Sequence, residues 1–191
     1  PGSIKEIIKG IIELVDACKG CYATTGMYNM PNVKAPRISN KEDWKRKDWV
    51  DDMVNAIFND ELFRWFDSGD CYDLRLAKKI KQVIERTPTT KHWLPTRQHK
   101  FPKFTKVLTE IASLPNAVVR LSSDSINGGI IKGDTTSTIW STEPPKEAFE
   151  CGAYTRNGEC KDCRACWDKL VKVVAYPGHG AKMLKVIRLQ G

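Results

Sequence analysis

The sequence predicts an α/β protein whose mostly parallel sheet forms a partial (β/α) barrel, with flanking helices and a C-terminal cysteine-rich cluster loop. Two observations lead to this fold class. Between residues 60 and 126, short apolar runs alternate with amphipathic helical segments, which is typical of a parallel sheet with right-handed crossovers. The segment from Cys151 to Cys166 then holds four of the seven cysteines. At 191 residues the chain fits one domain, so we expect a single domain over residues 1–191.

The composition excludes some classes of protein. Hydrophobic residues make up 41% of the chain and charged residues 28%, as in ordinary soluble proteins. No apolar run approaches the roughly 18 residues of a membrane span. An odd number of cysteines argues against a fully paired disulfide framework and favours reduced thiols in the cytoplasm. The net charge of +8 permits a nucleic-acid partner, but the cations are spread along the chain, so this partner is not favoured.

The N-terminal segment, residues 1–27, is predicted to combine a helix with a C-x2-C pair. Isoleucine and valine recur every three to four residues over 3–17, which indicates one apolar helical face. Cys18 and Cys21 follow at its end. Two thiols are half a metal site, so they need ligands from elsewhere. A redox pair or a structural turn are the alternatives.

The middle of the chain predicts alternating elements. Residues 28–40 contain two prolines and turn-forming residues, which indicates an extended loop. Helices are predicted at 41–58, 72–86 and 102–113, and strands at 62–66, 91–96 and 116–122. A further strand is possible at 137–141. The cysteine cluster loop and the final strand occupy 148–180, with a short helix near 164–170 and a strand at 171–177, and the tail fits either a helix or a strand.

Polar residues at the carboxyl ends of the predicted strands are the candidates for catalysis. Ligands collect at that edge of a parallel sheet. Asp70, His99, Asp124 and His179 all follow predicted strands. Carboxylates and imidazoles can act as acids or bases, but no pair of these four has a diagnostic spacing. Asp70 and Asp124 also fit ordinary caps of helices and turns.

The cysteine loop is the most specific chemical signal. Cys160, Cys163 and Cys166 are spaced C-x2-C-x2-C, and Cys151 lies upstream. Thiolates at this spacing can converge on a tetrahedral zinc or a [4Fe–4S] cluster. The cluster is favoured, because four-cysteine zinc sites usually consist of two C-x2-C pairs with a longer spacer, whereas bacterial ferredoxins open with this triple run. Zinc is the alternative metal, and disulfides or packed free thiols are the alternatives without metal.

Several motifs together resemble a known family. They are CYATTG (21–26), FDSGD (66–70), LPNAVVRLSSD (114–124), the Cys151…CKDCRACW run and VAYPGHG. The combination resembles the bacteriophage "gene product eighty-eight" proteins. The resemblance implies a small iron–sulphur protein, in the host cytoplasm, with a structural or electron-transferring cluster and no established biochemical role. Cys71 stands where an apolar residue is expected and is not assigned as a ligand.

That family is in turn distantly similar to radical S-adenosylmethionine barrels. The C-x3-C-x2-C triad of those enzymes is absent here, so such chemistry requires a second cluster near Cys18 and Cys21, with S-adenosylmethionine as cofactor. A zinc-stabilised nucleic-acid-binding module is a third hypothesis, based on net charge and six tryptophans. The sequence does not identify a redox partner or a small-molecule substrate.

Overall fold

A computed structural model of the chain describes residues 5–8 and 11–189, with side chains from residue 14. Its strands are β1 (Lys5–Ile8), β2 (Ile11–Leu14), β3 (Leu62–Arg64), β4 (Lys91–Thr96), β5 (Ala117–Ser122), β6 (Thr136–Trp140), β7 (Phe149–Glu150) and β8 (Val173–Pro177). Its α-helices are α1 (Asp16–Lys19), α2 (Pro31–Asp43), α3 (Trp49–Ile57), α4 (Leu74–Arg86), α5 (Pro102–Ser113) and α6 (Ala181–Arg188).

The architecture confirms the predicted α/β class with a parallel sheet and flanking helices. Strands β3 to β8 follow the hydrogen-bonded order β3-β4-β5-β6-β8-β7. The pairs β3–β4, β5–β6, β6–β8 and β7–β8 are parallel. None of the helices in the described part of the chain has the length and apolar character that a bilayer crossing requires.

The described residues divide into two compact units. Unit 1 comprises residues 23–119, and unit 2 comprises 5–8, 11–22 and 120–189. Unit 1 contains every candidate from Asp70 to His99, and unit 2 contains every cysteine except Cys71. Whether the units act as the one domain expected from chain length stays a prediction.

Unit 1 contains three helices that pack side by side. Helix α3 packs on α4, and α4 packs on α5. The predicted apolar stripe of α4 is its buried face, formed by Leu76, Ala77, Ile80, Val83 and Ile84. The Asp73 carboxylate accepts a hydrogen bond from the Arg75 N–H at 2.8 Å and caps the helix. The sequence period of 3.6 residues therefore correctly identifies the face that enters the core.

Unit 2 carries the C-x2-C pair on helix α1, which packs against α6. A Cβ atom on Gly20 would lie 2.6 Å from Met183 Sδ and 2.9 Å from Met183 Cα, so only glycine permits this close approach. The Ala17 N–H donates to the Asp124 carbonyl at 3.1 Å, beyond the end of β5. Helix α1 is therefore fixed on one side by α6 and on the other by the segment after β5.

The predicted helix at 3–17 is wrong. Residues 3, 4, 9 and 10 lie outside the described residues, but β1 and β2 form an antiparallel pair in which Ile8 faces Ile11 and Ile7 faces Ile12. Isoleucines at these positions match both a helical period and a hairpin, and β-branched residues favour strands. Only α1 of this segment is helical, and it begins at Asp16.

The loop predicted at 28–40 is also wrong, because α2 spans most of it. Pro31 begins the helix, where a missing N–H costs no hydrogen bond, and Pro36 lies within it. The predicted helix at 41–58 is correspondingly shorter, since α3 begins at Trp49. Helix α2 buries none of its residues. The helix predicted near 164–170 is only a 3-10 turn at Ala165–Trp167, and the ambiguous tail is helical in α6.

A buried histidine in β4 predicts acid sensitivity. His92 is 0% exposed and its Nε2 lies 2.9 Å from Thr87 Oγ1. Burial lowers the pKa of His92 from 6.5 to about 4. The unfolded chain therefore takes up a proton before the folded chain does. The stability that depends on neutral His92 is present above pH 6.5 and is lost as the pH falls towards 4.

We expect the free energy of unfolding to fall by up to about 3 kcal/mol across this window because of His92. Urea unfolding measured at several pH values checks this. The His92→Gln variant, which does not titrate, should show a flatter dependence on pH. Equal slopes in the two proteins would assign the acid sensitivity to other groups.

Candidate functional site

Cys151 is held by the backbone of two parallel strands. It directly follows β7, which pairs with β8 so that Glu150 lies opposite Ala175. The Cys151 N–H donates to the Ala175 carbonyl at 2.8 Å, so the strand ladder extends to the cysteine itself. The Cys151 side chain is half-buried. The first thiol of the loop is therefore fixed by β8, the central strand of this edge of the sheet.

The chain between Cys151 and Cys163 turns sharply. A 3-10 turn spans Gly152–Arg156, and Asn157 and Lys161 then adopt positive φ angles of 55° and 45°. Residues other than glycine rarely adopt this left-handed backbone conformation outside tight turns. The Cys163 N–H closes the last turn by donating to the Cys160 carbonyl at 2.9 Å. These turns fold the loop back on itself and keep Cys160 and Cys163 one turn apart.

Arg120 of β5 organises the other end of the loop. Its guanidinium is 0% exposed and donates to five backbone carbonyls. Four of these carbonyls belong to residues 165–171, around and after Cys166, and one belongs to β6. The distances are 2.6 Å to Ala165, 3.0 Å to Cys166, 2.9 Å to Asp168, 2.9 Å to Val171 and 3.4 Å to Thr136. One buried side chain thus fixes the backbone on both sides of Cys166.

The electrostatic surroundings of the four loop cysteines are shared. Burial raises the pKa of Cys151, and the thiols of Cys160 and Cys163 raise it further. Burial also raises the pKa of Cys166 to about 11, and Cys151 and Cys160 add to this, whereas Tyr176 and Arg120 oppose it. Neighbouring thiols of the loop therefore contribute to the raised pKa of both Cys151 and Cys166.

Thiolates are the donor type that zinc and iron–sulphur clusters take, and the loop contains four cysteines. All are free rather than paired in disulfides, which removes the disulfide alternative for these residues. Within the residues that the structure describes, no three side chains of the His, Cys, Asp or Glu type are already arranged to hold one metal ion. Binding would therefore require the thiols to lose their protons and approach one another, as thiolate ligands do.

Three aromatic rings connect Cys151 with the C-x2-C segment, and we name them the Tyr–His–Tyr cluster. The His179 ring lies 4.1 Å from the Tyr154 ring and 5.9 Å from the Tyr22 ring, measured between centroids. Burial raises the pKa of Tyr154, and Tyr22 and Cys151 also raise it. Tyr22 directly follows Cys21. The C-x2-C segment and Cys151 therefore adjoin the same aromatic cluster.

The structure divides the four catalytic candidates between the two units. Asp70 and His99 belong to unit 1, and Asp124 and His179 belong to unit 2. His99 lies in a 3-10 turn after β4, His179 follows β8, and Asp124 follows β5, each at a strand's carboxyl end as predicted. The Asp124 carbonyl anchors α1, as described above. Their catalytic roles stay predictions.

The hydrogen bonds of Asp70 give it a structural role. Its carboxylate accepts from the Thr96 hydroxyl, the Arg97 N–H and the Cys71 N–H, each at 2.7 Å. These bonds join the loop after β3 to the end of β4. Burial nevertheless raises the pKa of Asp70 above its usual value. Cys71 beside it is buried, and its Sγ lies 3.6 Å from the Asp73 carbonyl, so it packs within unit 1.

Arg120 and Tyr176 are the site residues that sequence reasoning missed. Tyr176 Oη lies 3.2 Å from Cys166 Sγ, and burial raises the pKa of this phenol strongly. A signal for Arg120 was present, because a guanidinium in the apolar strand AVVRLS is unusual in a parallel sheet covered on both faces. Tyr176 gave no signal, since aromatic residues are common in strands.

Comparison with known proteins gives one result on identity. A family model described as Gene product 88 matches residues 14–169. This span includes Arg120, Cys18, Cys21 and all four cysteines of the loop. No curated protein and no solved structure matches the chain.

Proposed function

The chain belongs to the Gene product 88 family, and for this member we propose that Cys151, Cys160, Cys163 and Cys166 hold one [4Fe–4S] cluster. The observation that carries the proposal is the set of four free thiols in unit 2, on a loop whose start is paired with β8 at Cys151 and whose end is bonded to Arg120 on both sides of Cys166. Iron–sulphur clusters take four thiolate ligands, and the C-x2-C-x2-C spacing suits them better than it suits zinc.

The buried charge of Arg120 supports this proposal. Within the described residues, no carboxylate forms an ion pair with it, although a buried guanidinium normally has an anionic partner. It donates to carbonyls on both sides of Cys166 instead. A cluster with four thiolates carries net negative charge, so the cation would offset part of it. Groups just outside the ligands commonly act in this way at metal sites.

The cluster would supply one-electron transfer or a structural cross-link. The residues of this chain would hold and tune it. Tyr176 can donate a hydrogen bond to the sulphur of Cys166, and such bonds change reduction potentials. The half-buried positions of Cys151 and Cys163 limit the access of water.

Reconstitution of the full-length protein tests the proposal. Anaerobic protein incubated with ferrous iron and sulphide should become brown and bind about four iron and four sulphide per chain. Electron paramagnetic resonance of the reduced sample would identify the cluster type. Parallel incubation with zinc is the matched control. Two results together would contradict the proposal and favour the zinc alternative: protein that stays colourless with iron and sulphide, and protein that binds one zinc per chain in the parallel incubation.

Cys18 and Cys21 enter this proposal as possible additional ligands. Their neighbour Tyr22 contacts the Tyr–His–Tyr cluster beside Cys151, which favours a position near the same site. S-adenosylmethionine chemistry and zinc-stabilised nucleic-acid binding have no supporting contact among the described residues and stay predictions from the sequence.

A further inference from the structure

Unit 1 contains a cleft that the cysteine site does not use. Its volume is about 560 Å³, within the range of small-molecule sites. Helix α2 forms one wall, and the loop of residues 66–70, FDSGD in sequence, forms another. All of the lining residues lie between 34 and 80, within unit 1.

One face of α2 presents cations to this cleft. Lys34, Arg37 and Lys41 follow the i, i+3, i+7 spacing of a single helical face, and all three line the cleft. Among the described residues, neither Lys34 nor Lys41 forms an ion pair with a carboxylate. The Arg37 guanidinium lies 4.8 Å from the Tyr28 ring centroid and donates to Ser68 Oγ. This face therefore offers positive charge to an anion.

The carboxylates in the lining already have partners. Asp70 accepts three hydrogen bonds, as described above. Asp43 forms an ion pair with Arg46, N to O 2.7 Å, and Asp67 accepts from the Tyr28 hydroxyl at 3.1 Å. The Arg46 ion pair offsets the charge of Asp43, whereas neutral donors occupy the oxygens of Asp67 and Asp70. None of the three forms an ion pair with Lys34 or Lys41 among the described residues.

The remaining lining is aromatic and apolar. Trp44, Trp49 and Trp65 line the cleft, together with Phe66 and Tyr72. Phe66 adopts a φ of 56°, a left-handed conformation that is rare for an aromatic residue and that persists where the surrounding structure enforces it, often at ligand sites. The three tryptophans are at most 9% exposed, whereas Phe66 and Tyr72 are half-buried, so a flat ring would stack on the latter two.

Helix α2 is attached to the rest of the cleft by hydrogen bonds rather than by buried apolar side chains. Helix α2 buries no residue. It is attached to the opposite wall at two points, by Arg37 to Ser68 and by the Tyr72 hydroxyl, which donates to the Lys41 carbonyl at 2.8 Å. The Tyr72 hydroxyl also accepts a hydrogen bond from Trp44 Nε1 at 2.8 Å, which links the residue after α2 to the same side chain.

We propose that this cleft binds a small anion that carries a flat aromatic ring, of the nucleoside monophosphate type. The cationic face of α2 binds the phosphate, and the half-buried aromatic wall of Phe66 and Tyr72 accepts the ring. The proposal concerns unit 1 alone and does not depend on the cysteine site.

Isothermal titration of the full chain with adenosine and guanosine monophosphate tests this site. Adenosine and inorganic phosphate, titrated separately, provide the ring and the anion alone. The variant Lys34→Gln/Lys41→Gln removes two exposed cations of the cleft, and Ile38→Glu adds a carboxylate at an exposed lining position. The matched control, Lys78→Gln/Lys106→Gln, removes two exposed cations of unit 1 outside the lining.

The expected result is saturable binding of a monophosphate that both cleft variants weaken by about tenfold or more and the control leaves unchanged. Adenosine and phosphate should each bind more weakly than the intact nucleotide. No saturable binding of either monophosphate at millimolar concentration would overturn the proposal. Equal weakening in the control variant would also overturn it, by showing attraction to net charge alone. Circular dichroism of each variant verifies that α2 remains folded.

Discussion

Replacement of Arg120 by methionine should lower the free energy of unfolding by about 4 kcal/mol or more. Methionine is similar in length but donates no hydrogen bond, so five carbonyls lose the guanidinium as a donor, and of these the Ala165 carbonyl keeps the Asp168 N–H. An unsatisfied buried polar group costs about 1–3 kcal/mol, and these costs are only partly additive. Denaturant unfolding monitored by circular dichroism measures the loss.

Two further variants make the Arg120 prediction specific. Arg120→Lys keeps the charge but loses the planar fork of donors, so an intermediate loss is expected. Arg188→Met removes an exposed arginine of the same unit and should change stability by less than about 0.5 kcal/mol. Equal stabilities of the Arg120→Met protein and the wild type would show that the guanidinium does not support the loop.

Serine substitution of Cys160 or Cys163 should reduce the iron bound after reconstitution from about four per chain to less than one. Serine keeps the size of the side chain and removes the thiolate that iron prefers. Cys160 is exposed and Cys163 half-buried, so neither change disturbs a packed core. Iron and sulphide analysis, with the visible spectrum, measures the effect.

The remaining cysteines supply the controls for this series. Cys71→Ala lies in unit 1 and should retain full iron content. The double variant Cys18→Ala/Cys21→Ala separates two ligand sets, since full iron content would leave the four loop cysteines sufficient and a loss would add the N-terminal pair. Undiminished iron in both Cys160→Ser and Cys163→Ser would exclude the loop as the cluster site.

The sequence predicted the α/β alternation well where its periodicity was long and unambiguous. The apolar positions of α4 recur over more than three turns, so only one face could be buried. Residues 3–17 failed because isoleucines at 7, 8, 11 and 12 satisfy both a helical stripe and a two-stranded hairpin. The propensity of β-branched residues was the better indicator there.

The cysteines of the candidate site could be predicted from the sequence, but the hydrogen bonds of Arg120 that hold their loop could not. Cysteine spacing is a local feature, so four candidate ligands could be proposed from the sequence. The partners of Arg120 are backbone carbonyls 45 to 51 residues further along the chain, apart from Thr136. Backbone acceptors have no sequence signature. The unit 1 cleft was missed for a related reason, because its wall α2 was predicted to be a loop.

The cysteine loop is anchored at both ends by contacts within the protein itself. Pairing of β7 with β8 fixes the chain up to Cys151, and Arg120 fixes it from Ala165 onwards. Most of the conformational entropy of these ends is therefore lost when the chain folds, not when metal binds. Zinc fingers, by contrast, unfold without their ion. We therefore expect the scaffold around the loop to stay folded when the proposed cluster is removed.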